Sequence, residues 1–167
     1  KIGLTRGSTN ELVFEAILKK EGLAWADFNI VNLRHEDKPQ ALQLGQVDAT
    51  VAWEPGPAIV VVKGIGRRLV TGDGYMDDNL GVLIASDDIL KRDPDAVIRF
   101  LRALHEASVY AHTYPDEMVE LLAERLKLDK AVLVQAIPTQ WWYIEVFADT
   151  LPNWQLTVDL LTKLKRK

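Results

Sequence analysis

An alternation in the first 71 residues restricts the fold more than any other feature. Short apolar, β-branched runs lie at residues 1–5, 28–33, 49–53 and 67–71, and helix-forming stretches lie between them at 9–20, 39–44 and 57–62. Strands separated by helices pair in parallel through right-handed crossovers, so this half predicts an α/β layer structure. The first helix carries Leu12, Val13, Ala16 and Ile17 on one face and stops at Gly22; Gly45 closes the second. The Val-rich run at 57–62 reads as a third helix and equally as a strand.

After the turn-rich stretch GDGYMDDN and an apolar run at 80–85, the chain changes character. Asp93-Pro94 opens a long helix through His112, with Val97, Leu101, Leu104 and Val109 as its expected buried stripe. Pro115 opens another through Leu126, Asp129 caps a third, and a last helix starts at Thr150 or Asn153 and runs to the C-terminus. No Gly/Ser- or Pro-rich linker and no internal repeat separates the two halves.

Composition excludes several classes. With 167 residues, 48% hydrophobic and 26% charged, the chain can build a core as one domain or two small lobes. Net charge is -4, and the one basic cluster is the terminal Lys163, Lys165, Arg166 and Lys167, so nucleic acid is not an expected partner. The absence of cysteine removes disulfides, thiolate metal sites and a cysteine nucleophile. No signal peptide is visible, and no apolar run reaches membrane-spanning length. The chain opens directly on a strand, which raises the expectation that it was cut from something longer.

The most informative short segment is RGSTNE, residues 6–11, between the first strand and the first helix. As structure, Ser8 and Glu11 form a capping box, the hydroxyl accepting from the Glu11 amide and the carboxylate reaching back to the Ser8 amide. As a site, free amide groups at the helix start, the hydroxyls of Ser8 and Thr9, the close approach allowed by Gly7 and the charge of Arg6 favour an anion or polar head group. The spacing and missing lysine exclude a P-loop. At GQVDATVAWEP, residues 45–55, Trp53 and Glu54 end a strand on the same edge; they line a ligand site or, alternatively, fill the core and cap the next helix.

Other features have plainer explanations. His35 lies in the loop RHED near the expected edge, while His105 and His112 share a helix face without the carboxylates a zinc site needs. Trp141, Trp142 and Tyr143 suit core packing, with one of the three a candidate for ligand contact. Asp73, Asp77 and Asp78 lack the closing glutamate of a calcium loop and read as a solvated turn.

Five segments in order, TRGSTNELVFEAILKKEGL, VNL, ALQLGQVDATVAWEP, NLGVLIAS and KRDPDAVIRFLRALHEASVYAHTYPDEMVELLAE, resemble the substrate-binding proteins of ABC importers for nitrate, sulfonates and taurine, a group that also includes pyrimidine-precursor binders. The resemblance covers roughly residues 1–145. It implies a type II periplasmic-binding-protein-like α/β fold with one complete parallel lobe, residues 1–78, plus a hinge return and the C-terminal helices of the other lobe, residues 79–167. It further implies an extracytoplasmic, non-enzymatic solute-binding component that closes its lobes on a small polar or anionic ligand and is read by a membrane ABC permease, with no cofactor and no metal. Gly7, Ser8 and Thr9 match the family's head-group turn, with Arg6 beside it, Trp53 and Glu54 match the strand-end pair of the cleft, and Asn79 falls where the chain recrosses the hinge. Asn10-Glu11 departs from the small or aromatic residues common there, and its carboxylate opposes a simple anion unless it is spent in the cap. Since the first part of lobe one is expected upstream, apolar surface on 80–85 and on the later helices is expected to be covered by that segment or by self-association. The alternatives on the same fold are a receptor's sensor domain, a pyrimidine-precursor-synthesising relative and a menaquinone-pathway lyase using Glu11 or Glu54 as its acid.

Overall fold

The computed structural model describes residues 1–75 and 83–139. The chain divides into two compact units, one containing the first of these segments and the other the second.

In the first unit, β1 (Ile2–Leu4) is the centre of a parallel sheet of order β2-β1-β3, with β2 (Ile30–Asn32) and β3 (Ala49–Thr50) on its flanks. Helix α1 (Thr9–Glu21) connects β1 to β2, and α2 (Lys38–Gln43) connects β2 to β3. Chain order runs out from β1 to one side and returns past it to the other, so right-handed crossovers put α1 and α2 on opposite faces. Alternation along β1 divides the residues accordingly. Leu4, with Ile2 beside it, packs on Phe14 and Leu18 of α1, and Trp25, Phe28, Ile30 and Val51 close that layer. Trp25 and Phe28 both meet Phe14 edge-on, with centroids 5.1 and 5.4 Å away. Gly3 faces the other side, where a Cβ would come within 2.8 Å of Leu33 Cδ1, so β1 admits no side chain there. Behind that face lie the buried Ala41, Val47, Ala58 and Val60, the last two on α3 (Gly56–Val62).

Helix α1 buries Asn10, Phe14 and Leu18 as a stripe four residues apart, with Leu12 beside it; Val13, Ala16 and Ile17 of the expected face are half-buried. The helix ends as expected, with Gly22 left-handed at φ 68°. The 57–62 run is a helix. The expected fourth strand is absent: residues 67–71 carry no regular structure, Leu69 and Val70 are exposed, and Arg68 is drawn to Glu54. β-branched content made the segment strand-like, but a strand also needs a buried face, and this one has none. Strands β2 and β3 are shorter than the 28–33 and 49–53 runs, because only the middle of the first run and the first two residues of the second pair with β1.

The second unit is helical in its described part: α4 (Asp87–Arg92), α5 (Pro94–Thr113), α6 (Pro115–Leu126) and α7 (Lys130–Ala136). Helices α5 and α6 start on the prolines read from sequence, and Asp129 caps α7 by accepting from the Ala131 amide at 2.8 Å. Helix α4 was not expected, although Ser86 followed by Asp87 and Asp88 is a start signal; Ser86 Oγ accepts from the Ile89 amide at 3.4 Å. Met118, Val132, Leu133 and Ala136 are buried. The expected stripe on α5 is not: Val97 and Leu104 are half-buried, and Leu101 and Val109 are exposed. Helical spacing of apolar residues gives a helix one sticky face, but a second surface has to be in place to bury it. Asn79, Asp77, Asp78, the first residues of the 80–85 run, Trp141, Trp142, Tyr143 and the final helix lie outside the described residues.

Candidate functional site

Because the three strands are parallel, their carboxyl ends share one edge, and the segments leaving them meet there. Thr5 Oγ1 donates to the Leu33 carbonyl at 2.9 Å, and the Arg6 amide donates to Asn32 Oδ1 at 3.0 Å, tying the β1–α1 turn to the end of β2. The turn itself needs glycine, since Gly7 has φ 71°. Ser8 caps α1, but one residue earlier than expected. Its Oγ accepts from the Asn10 amide at 3.2 Å while donating to the Thr5 carbonyl at 2.7 Å. The Glu11 carboxylate reaches past Ser8: Oε2 accepts from the Gly7 amide at 2.9 Å, and Oε1 pairs with Arg6 at 2.9 Å. The left-handed Gly7 turns its own N–H toward the helix, so it takes the place of the Ser8 amide in the box.

This satisfies Gly7, the Ser8 hydroxyl and Arg6 within the chain. The amides of Ser8 and Thr9 and the Thr9 hydroxyl meet no acceptor among the described residues, and Thr9 is exposed. These are the donors the turn can offer outward.

Beside them, Trp53 follows β3 and is 42% exposed. It stacks on His35 with centroids 4.2 Å apart and planes 11° from parallel. His35 in turn lies over the start of α3, 3.6 Å from where a Gly56 Cβ would stand. Glu54 is held from two sides: Oε2 accepts from the Ala58 amide at 3.0 Å, capping α3, and Oε1 pairs with Arg68 at 2.5 Å, with only 9% of its side chain exposed. The helix-cap alternative is therefore what the local geometry carries for Glu54, and the core alternative fails for Trp53.

Lys38, which the sequence did not single out, and Asn10, which it marked only as a departure from the family pattern, complete the edge. Lys38, at the start of α2, is 1% exposed, and Asn10 is 4% exposed. The Lys38 ammonium donates to Asn10 Oδ1 and lies 5.3 Å from the Trp53 ring centroid. Burial pulls the Lys38 ammonium down to about 8. Burial first, then the neighbouring Lys38 charge, lowers His35 below its ordinary value, and its Nδ1 is buried without a hydrogen-bond partner among the described residues. In the sequence, Lys38 sits in EDKPQ, which reads as a solvated helix start; its burial comes from α1, which no local signal announces. Of the other histidines, His105 and His112 are exposed on α5, and no cluster of three metal-ligating side chains occurs among the described residues.

A parallel sheet that offers amide donors and an indole at its carboxyl edge has the layout of a ligand-binding α/β unit. The fold is that of the periplasmic solute-binding proteins. It matches the alkanesulfonate-binding protein SsuA from Xanthomonas axonopodis pv. citri bound to MOPS, with a TM-score of 0.85 at 22% identity, over 98% of this chain and 57% of that one. It matches the periplasmic aliphatic sulphonate binding protein SsuA from Escherichia coli with a TM-score of 0.83 at 20% identity, over the same shares. The chain belongs to the NMT1-like family, whose model matches residues 1–127. Curated relatives include a "Putative aliphatic sulfonates-binding protein" of Bacillus subtilis, 26% identical over 90% of this chain and 46% of that one, and a "Putative binding protein" of Brucella abortus, 27% identical over 80% and 43%. The chain thus spans less than half the length of these curated relatives.

Proposed function

We propose that this chain is part of the extracytoplasmic solute-binding component of an ABC importer, and that its sheet edge takes the head group of a small anionic solute of the sulfonate class. The observation that carries this is the pair of unspent amides at the half-buried Ser8 and the exposed Thr9, with the Thr9 hydroxyl, beside the open indole of Trp53. Amides at a helix start stabilise an anion through fixed dipoles, and the indole gives the organic part an apolar surface. Relatives named as sulfonate-binding proteins support the ligand class, and the periplasmic location named for the E. coli structure supports an extracytoplasmic site of action.

Binding rather than catalysis is supported by the state of the acids at the edge. Glu11 is tied to Arg6 and the Gly7 amide, and Glu54 to Arg68 and the Ala58 amide, so neither is placed to hand a proton to a substrate. The permease partner and periplasmic location are part of the same proposal, as is Asn79 as a hinge contact.

The test is a thermal-shift and calorimetric panel of alkanesulfonates, MOPS, taurine, nitrate and aminopyrimidines. A ligand that binds only the folded state raises stability by about 2.7 kcal/mol at a hundred times its Kd. The expected result is a shift with sulfonates that Thr9→Ala reduces and Trp53→Ala reduces more for long-chain than for short-chain members. A shift with aminopyrimidines alone, or none with any member, overturns the sulfonate assignment.

A further inference from the structure

The ion pairs at the sheet edge leave Lys38 out. Glu11 is matched by Arg6, Glu54 by Arg68 and Glu36 by Arg34. Lys38 has an amide oxygen and an indole face for partners, and no carboxylate among the described residues forms an ion pair with it. A buried ammonium held only by neutral groups is costly, and a structure that keeps one in place leaves a positive charge that an arriving anion can balance. It lies against Asn10, the residue that follows Thr9, and against Trp53, so it stands behind the two features proposed to meet the ligand.

We infer that Lys38, held by Asn10 and Trp53, is the residue that selects charge at this edge: its ammonium is the countercharge for an anionic head group seated over Ser8 and Thr9. This rests on the function proposed above and adds a positioning residue to it. The ammonium is buried and acts through the Asn10–Thr9 helix start and the indole. Its consequence is a linkage between ligand and proton. In the free protein the ammonium loses its proton at about 8. A bound anion holds that proton on, so binding above this pH takes one up from solvent, and affinity falls by up to about tenfold per pH unit as the proton must be recovered. Of the groups facing Lys38, His35 is held below its ordinary value by burial and is neutral through this window. Glu11, Glu54, Glu36, Arg6 and Arg68 are paired as described, and Asp37 precedes Lys38 on the solvent side. Tyr75, which bonds Glu21, is at the other end of α1.

The experiment is titration calorimetry of the protein with methanesulfonate and with hexanesulfonate between pH 7 and 9.5, in two buffers of different ionisation enthalpy. A sulfonate keeps its charge throughout, so any proton taken up belongs to the protein. The expected result is uptake rising toward one proton near pH 9 and affinity falling about fivefold from pH 8 to 9, given a free-protein value of about 8. Lys38→Met binds weakly with no pH dependence, and Lys38→Arg, which keeps its charge, binds without pH dependence and recovers much of the affinity. Wild-type binding that is flat in pH without proton uptake overturns the inference while leaving the proposed function standing, and so does Lys38→Met that titrates like wild type. The proton count on the wild type decides the matter even if both variants fail to fold. Failure of either sulfonate to bind at any pH overturns the proposed function and the inference with it.

Discussion

The two units handle apolar surface in opposite ways. In the first, three short strands and a 13-residue helix bury Leu4, Leu12 and Leu18 almost completely. In the second, the 20-residue α5 buries none of its residues, and Ile98, Phe100, Leu101, Val109 and Tyr110 are all exposed. Helix α5 is the more amphipathic of the two long helices by spacing, so pattern strength did not decide burial. A central parallel strand brings helix-bearing crossovers to both of its faces and covers itself. A helix has no such guarantee, and its apolar stripe stays open until another surface is laid on it.

Substitutions can break this contrast. The largest effect is expected at Leu4: Leu4→Ala removes a fully buried side chain from the layer under α1 and should cost about 2–5 kcal/mol in denaturant unfolding. Phe100→Ala on α5 should cost far less despite the larger side chain; equal losses would mean that α5 is packed in solution.

Lys38→Met comes next and has the opposite sign. It should stabilise the ligand-free protein by about 1–4 kcal/mol at pH 7, because it replaces an uncompensated buried charge by an apolar chain of similar length. The Lys38 ammonium is lowered to about 8 in the fold, against about 10.4 in an unfolded chain. Between those values the unfolded state binds more protons, so wild-type stability from this group rises with pH and the advantage of Met shrinks from pH 8 to 10.5. A difference that is constant in pH would show that the lysine is not buried as a charge.

Smaller effects separate the two kinds of helix start. Ser8→Ala loses both the Asn10 amide and the Thr5 carbonyl contacts, and Asp129→Ala loses the α7 cap; each should cost about 1 kcal/mol by thermal unfolding. Only the first should also alter sulfonate affinity. The smallest effect on stability is expected from Phe100→Ser with Leu101→Ser, within about 0.5 kcal/mol for exposed positions. If α5 mediates self-association, that pair should lower the light-scattering mass; an unchanged multimer would place the contact elsewhere.

Where local chemistry was sufficient, the sequence determined the outcome. Pro115 through Leu126 is the helix expected, Gly22 and Asp129 end and cap their helices as their φ preference and side-chain oxygen dictate, and β1, β2 and β3 pair in parallel because helices separate them. The order of segments was also enough to recognise the solute-binding fold. Tertiary structure decided what depends on partners distant in the chain. Residues 67–71 had strand composition but no buried face. Glu11 skipped Ser8 for Gly7 and Arg6 because of the direction in which a left-handed glycine turns its amide. Lys38 became a buried cation because Asn10, 28 residues earlier, and Trp53, after β3, close over it. Caps, stops and pairing sense are set within a few residues by backbone sterics and hydrogen bonding. Burial, and the charge state that follows from it, is a property of the packed whole.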